Sequence, residues 1–202
     1  FSIACHDMGD GWRYVSGGAD KLVLVWDGVA GGAPLLKLEG HTDWVKAVAC
    51  HDTGDGWRYV SGGMDKVLLV WEAVKGGAPL LKLEGHTDRV ESVACHRVGD
   101  GWRYVSGSDD KTVRVWDVEG GAAARPAVDG HKGGVTSLAC FDDGRRVVSG
   151  SEDKTVRVWD GVAGGAPLLT LEGHTDTVYA DARPAAGHAR RIGHAADRTV
   201  RE

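Results

Sequence analysis

An all-β chain made by repeating one four-stranded unit is what this 202-residue sequence predicts, and three regularities carry the expectation. Trp26, Trp71, Trp116 and Trp159 recur at intervals of 45, 45 and 43 residues, and His41, His86, His131 and His174 keep the same intervals. Cys5, Cys50, Cys95 and Cys140 are each 45 residues apart. Within one period the apolar text comes in short runs rich in Val, Leu and aromatic residues, each ended by Gly, Asp or Pro. In the second copy these runs are "VKAVACH" (45–51), "WRYVSGG" (57–63), "KVLLVWE" (66–72) and "APLLKLEG" (78–85). None reaches ten residues, so a helical template fits poorly and four strands per copy are expected.

The connections between runs have a chemistry of their own. "DMGDG" (7–11), "DTGDG" (52–56) and "DDG" (142–144) read as hairpin turns, because Asp-Gly tolerates the left-handed backbone of a tight loop. They lack the alternating ligands and terminal Glu of a calcium loop. "VAGGAPLL" and "VKGGAPLL" have no Gly-Lys-Ser/Thr to cradle a phosphate, and read as turns before an outer strand in which Pro34, Pro79 and Pro167 suit an edge.

Composition narrows the partners. A net charge of −5 from 24 basic and 29 acidic residues spread along the chain offers no cationic stripe for nucleic acid. No apolar run approaches the ~20 residues that span a bilayer, and no basic amphipathic segment suggests a membrane surface. Neither nucleic acid nor membrane is therefore expected as a partner, and no cofactor motif is found. Evenly spaced cysteines do not make the close ligand pairs of a zinc site, so the expectation is a small buried residue at one repeated position. Thiols in each copy suit a reducing, intracellular setting, the cytoplasm first, with the nucleus not excluded.

"GHTDRVESVACHRVGDGWRYVSGSDDKTVRVWD" (85–117) and "GHKGGVTSLACFDDGRRVVSGSEDKTVRVWD" (130–160) resemble WD-repeat units, which run from a Gly-His to a Trp-Asp. The resemblance covers nearly the whole chain. It implies a β-propeller of four-stranded antiparallel blades, with blades at 1–40, 41–85, 86–130 and 131–173 and a degraded partial blade at 174–202. It also implies a hydrogen-bonded set of His, Ser, Asp and Trp in each blade. That set maps onto His41, Ser61, Asp65 and Trp71, then His86, Ser106, Asp110 and Trp116, then His131, Ser149, Asp153 and Trp159. The first blade keeps only Ser16, Asp20 and Trp26.

A Ser, a His and an Asp also invite a hydrolase reading. A nucleophile must be exposed and face an oxyanion hole, whereas this set recurs at the same spacing with its Ser inside a strand, so structural bonding is expected and no enzyme. Function then falls to the loops that a rigid scaffold carries. Among near-identical copies, the residues that differ are Trp44, Arg89, Gly134 and Thr177 after the His, and Ala19, Met64, Asp109 and Glu152 before the turn Asp. Trp44, Met64, Arg89, Asp109 and Glu152 make the candidate face for a protein or peptide partner, since Trp and Arg anchor interfaces more than other residue types do. A second reading stays open: a structural or variable array attached to a catalytic or signalling domain elsewhere, with no ligand of its own.

The last copy breaks the pattern. Asp181 stands where other copies have Val48, Val93 or Leu138, Arg183 and Pro184 replace the Cys region, and Gly193 takes the Ser position. Two charges without partners in a buried strand cost several kcal/mol each, so a weak strand and rapid hydrogen exchange over 174–202 are expected, as from a frameshifted or mis-joined stretch. His188 and His194 are read as incidental. About four complete blades imply an incomplete or open ring whose exposed edges invite self-association, unless two chains complete each other.

Overall fold

The computed structural model describes residues 2–179 except 75, 100, 119–122, 125–127 and 142–143. The expectations for Asp181, Arg183, Pro184, His188, Gly193 and His194 lie outside the described residues. The fold is all-β, with four antiparallel sheets built in chain order and no helix among the described residues. The first sheet has the strand order β1 (Ile3–Asp7), β2 (Trp12–Gly17), β3 (Val23–Asp27), β4 (Leu36–Leu38). The second runs β5 (Val45–Asp52), β6 (Trp57–Gly63), β7 (Leu68–Glu72), β8 (Leu81–Leu83). The third runs β9 (Val90–Val98), β10 (Gly101–Ser108), β11 (Thr112–Asp117), and two short pieces, β12 (Ala123–Ala124) and β13 (Val128–Asp129), both pair with β11. The fourth runs β14 (Val135–Phe141), β15 (Arg146–Ser151), β16 (Val156–Asp160), β17 (Leu169–Leu171). The ring is not closed among the described residues.

Turn chemistry sets these limits. Gly9 and Gly54 adopt φ of 85° and 90°, and each amide donates to the preceding Asp side chain, Asp7 or Asp52, at 2.8 Å. A residue with a Cβ would be strained there. The outermost strands are shorter than the runs suggest: Pro79 and Leu80 precede β8, although Leu80 already donates its amide to the Val70 carbonyl at 2.7 Å. In the third sheet, where the first two copies read "PLLKLEG" and the fourth "PLLTLEG", the sequence reads "RPAVDG".

The core lies between the sheets. One face of each sheet presents Val and Leu, and the facing surface of the next presents Tyr, Trp and Cys, with Val147 in place of the Tyr on the fourth sheet. At the first seam Val15, Val23, Val25 and Leu38 meet Val45, Val48, Tyr59, Leu69 and Trp71. At the second, Val60, Leu68, Val70 and Leu83 meet Val90, Tyr104 and Trp116. At the third, Val105, Val113 and Val115 meet Val135, Leu138, Val147 and Trp159.

A glycine at the end of each second strand sets how near the next sheet comes. A Cβ built on Gly17, Gly62 or Gly107 would stand 2.6, 2.5 and 2.5 Å from a Cγ1 of Val45, Val90 and Val135. Gly150 receives Val178 in the same way at 2.9 Å. Gly62→Ala therefore overpacks the seam and should lower stability by about 2 kcal/mol. Urea unfolding should show this, and adding Val90→Ala should cost less than the sum of the two single changes. Strict additivity would contradict the seating of Val90 on Gly62.

Candidate interaction face and the buried polar chains

Each complete repeat folds one polar chain through its sheet. Ser61 sits in the middle strand β6, where its neighbours across the ladder are Val48 on β5 and Leu69 on β7. Trp71 Nε1 donates to Ser61 Oγ at 2.8 Å, Ser61 Oγ lies 2.7 Å from His41 Nε2, and His41 Nδ1 lies 2.8 Å from Asp65 Oδ2. Ser106 joins Trp116 at 2.8 Å and His86 at 2.7 Å, and His86 reaches Asp110 at 2.7 Å. Ser149 joins Trp159 at 2.7 Å and His131 at 2.7 Å, and His131 reaches Asp153 at 2.8 Å. In the first sheet Trp26 donates to Ser16 at 2.8 Å, while Asp20 only accepts the Leu22 amide at 3.2 Å.

Donor and acceptor identities give this chain one direction. An indole can only donate, so the Ser hydroxyl accepts from it and sends its own hydrogen to Nε2; Nδ1 then carries the imidazole hydrogen and donates to the carboxylate. The same Ser–His–Asp order serves acyl-transfer enzymes, but Ser61, Ser106 and Ser149 are fully buried. One lone pair of each hydroxyl is already taken by an indole, leaving no approach for a substrate carbonyl. Burial opposes charge on Asp110, yet the bonds from His86 and Thr112 outweigh it and hold the carboxyl well below the usual range. Asp153 is held low in the same way, with bonds from Thr155, the Lys132 amide and His131 overcoming desolvation.

The Gly of each Gly-His has a packing duty. A Cβ on Gly40, Gly85 or Gly130 would come within 2.9, 3.3 and 2.7 Å of the Cη2 of Trp71, Trp116 and Trp159. At Gly40 and Gly130 the loop can lie this close to the indole only without a side chain, and at Gly85 a Cβ would still press on the ring.

At the loop end of the sheets, the two sets of residues that vary between copies meet in pairs. Met64 donates its amide to the Trp44 carbonyl at 2.9 Å, Asp109 to Arg89 at 3.1 Å, and Glu152 to Gly134 at 3.0 Å. The side chains match as well. Arg89 Nε bonds Asp109 Oδ2 and also lies 3.6 Å from Glu91, which in turn pairs with Lys46 at 3.2 Å. Gly134 donates to the Glu152 carboxylate at 3.2 Å, and a Cβ on it would stand 2.6 Å from Asp109 Oδ1. Trp44 is 45% exposed. Arg89 is thus part of a charged chain spanning the second and third sheets rather than a lone cation.

The profile of the WD domain, G-beta repeat, matches residues 32–72, 77–117 and 125–160, more than half of the chain. The chain belongs to the WD-repeat family. No curated protein matches it. WD-repeat domains are typically non-catalytic and mediate contacts between proteins.

Two further features of these WD repeats escape a reading of single copies. His6 stacks on Trp57 with ring centroids 3.9 Å apart, and its Nε2 lies 3.1 Å from the Tyr59 hydroxyl of the next sheet. His51 repeats both contacts with Trp102 at 4.0 Å and Tyr104 at 3.1 Å. The signal was present as "ACH" in one repeat and "WRY" in the following one, two motifs whose meeting crosses a seam. His96 faces Gly144 instead, and neither of its ring nitrogens has a partner.

The four cysteines are free thiols along the innermost strands, and against the expectation of a fully buried position Cys5, with no sheet described before it, is exposed while Cys50, Cys95 and Cys140 are half-buried. Cys95 Sγ lies 3.2 Å from the Cys50 carbonyl and Cys50 Sγ 3.6 Å from that of Cys5, so each leans on the preceding sheet. Burial pushes the Cys50 and Cys140 thiols up to about 12, which leaves almost no reactive thiolate at neutral pH. No cluster of three or more metal-ligating side chains occurs among the described residues. No helix there is long and apolar enough to cross a membrane.

Proposed function

We propose that the protein is a non-catalytic scaffold that holds a protein or peptide partner on the face formed by Trp44, Met64, Arg89, Asp109 and Glu152. The observation that carries this reading is that two variable positions meet. The buried polar chains and seam glycines repeat almost unchanged, while Trp44, Arg89 and Gly134 touch Met64, Asp109 and Glu152 in pairs at one end of the sheets, and both members of each pair differ from copy to copy. Residues unconstrained by the fold at an exposed end are where recognition is placed on a rigid scaffold. The face suits a segment with an apolar side chain for Trp44 and Met64, and a basic one for Glu152, since Asp109 is engaged by Arg89. Free thiols in every sheet favour an intracellular, reducing setting for that encounter.

The self-contained Arg89–Asp109 pair favours a second reading, in which the array is structural and the variable pairs only satisfy each other. Selection from a displayed peptide library separates the two. Peptides enriched on the wild-type protein should bind the Trp44→Ala/Arg89→Ala protein at least about tenfold more weakly, with its melting temperature little changed, because truncation of such anchors typically costs more than about 1 kcal/mol. Equal binding by both proteins would overturn the face, and a selection that enriches nothing would favour the structural array.

A further inference from the structure

Asp-Gly recurs along the chain, and the fold gives this one dipeptide two different settings. After the third strands it is locked. Asp27 Oδ1 accepts the amides of Ala30 at 2.9 Å and Val29 at 2.8 Å, while Gly28 donates its own amide to the Trp12 carbonyl at 2.8 Å. Asp160 is held alike by Ala163 at 2.8 Å and Val162 at 2.9 Å, with Gly161 donating to Arg145 at 2.9 Å. These backbone bonds also hold both carboxyls below their ordinary pKa. In the turn between β5 and β6 the pair Asp55-Gly56 is free of such ties. Asp55 is exposed, and neither its carboxylate nor the Gly56 amide makes a hydrogen bond among the described residues. The turn is closed through the Gly56 carbonyl instead, which accepts the Thr53 amide at 2.9 Å and the Thr53 hydroxyl at 2.7 Å. A Cβ on Gly56 would meet nothing within 4 Å, so the space beside its nitrogen is open.

We propose that Asp55 is a site of spontaneous backbone modification, at which the folded protein converts the Asp55-Gly56 link into a β-linked isoaspartate while Asp27 and Asp160 are protected. The Gly56 nitrogen attacks Cγ of the neutral Asp55 carboxyl. The new N–Cγ bond closes a cyclic imide, and the carboxyl hydroxyl leaves with the amide proton as water. A second water cleaves the bond between that nitrogen and the Asp55 backbone carbonyl carbon, so the chain now runs through Cγ and the α-carboxylate is set free. The mass is unchanged and no oxidant enters. Glycine suits the step because no Cβ shields the attacking nitrogen. At Asp27 and Asp160 three hydrogen bonds must open before the same attack, and a depressed pKa leaves less of the neutral acid. Asp55 lies outside the strand ladder, whose last pair is Asp52 with Trp57, so the added backbone methylene leaves β5 and β6 paired. It also lies at the opposite end of β5 from Trp44.

Ageing the folded full chain at mildly acidic pH and digesting it with trypsin tests this, since Asp27, Asp55 and Asp160 fall in separate peptides. Isoaspartate is read in each peptide by enzymatic methyl transfer from S-adenosylmethionine to the freed α-carboxylate. The Asp55 peptide should accumulate it at least about tenfold faster than the other two, because reaction there needs no local opening. In urea the three rates should converge, because only the fold separates them. Asp55→Glu, whose longer side chain would have to close a larger ring, should lose the signal from that peptide with its melting curve unchanged. Equal rates in the folded protein would overturn the proposal. So would a folded Asp55 peptide that stays unlabelled while the urea sample labels, a difference that persists in urea, or a signal that survives Asp55→Glu.

Discussion

Asp110→Ala should lower stability by about 3 kcal/mol and the melting temperature by about 10 °C, the conversion expected for a chain of this size. The Asp110 side chain accepts from His86 Nδ1 at 2.7 Å, the Thr87 amide at 3.0 Å, the Thr112 amide at 3.0 Å and the Thr112 hydroxyl at 2.6 Å. Alanine strands all four donors, and the imidazole among them is buried. A stranded buried donor costs about 1–3 kcal/mol, whereas the exposed Thr87 amide can turn to water and loses less. The chain carries its own control. Asp20 occupies the same turn in the first sheet but is exposed and accepts the Leu22 amide at 3.2 Å, with no imidazole to hold. Asp20→Ala should therefore cost well under about 1 kcal/mol. Thermal melts of the two variants decide the matter: equal losses, or an unchanged Asp110→Ala curve, would show that the chain through His86 and Ser106 contributes little.

The difference between Asp20 and Asp110 also shows what could be read from the letters. Repetition exposes the fold class because each period places the same donors and acceptors at the same interval, and "WRYVSG" or "TVRVWD" is too short and too β-branched for a helix. The Ser, His, Asp and Trp positions are legible for the same reason. What lies between repeats is not, because a contact across a seam joins residues of two copies and belongs to neither. Gly62 looks like one more turn glycine until Val90 is placed against it. Trp44 and Met64 vary independently in the text and touch in the fold. Lys21, Lys66, Lys111 and Lys154 give no sign, beyond following an Asp each time, that all four adopt φ near 70°. Lys66 and Lys154 then reach the Thr87 and Thr175 carbonyls at 2.9 Å and tie each turn to the following loop, an offset against the strain of that backbone.

Acidification should weaken the fold at pH values where its carboxylates are still charged, and the seam histidines are the cause. Burial lowers the pKa of His51 from 6.5 to about 4, with Arg58 adding to the shift and Asp52 opposing it. Burial lowers His96 to about 4 as well, with Arg103 adding to it. His6 and His131 shift the same way, again chiefly by burial. A base whose folded pKa is depressed leaves stability intact above its unfolded value and removes it as pH falls. The unfolded chain takes up protons near pH 6.5 that the folded chain refuses until near pH 4. At pH 5 the loss amounts to about 2 kcal/mol for each of His51 and His96. The carboxylates act in a lower window, since Asp110 and Asp153 are held below their ordinary 3.8 and withdraw support only beneath it. His96 is the informative residue because both its ring nitrogens lack partners, so an apolar replacement removes the titration without breaking a hydrogen bond. His96→Leu should be neutral or mildly stabilising at pH 7 and should flatten the fall toward pH 5 by about 2 kcal/mol. His51→Leu should flatten it equally but cost about 1 kcal/mol at pH 7, because the Tyr104 hydroxyl loses its partner at 3.1 Å. Urea unfolding from pH 7.5 to 4.5 measures both, and a His96→Leu profile as steep as the wild type would remove the seam histidines as the source of acid sensitivity.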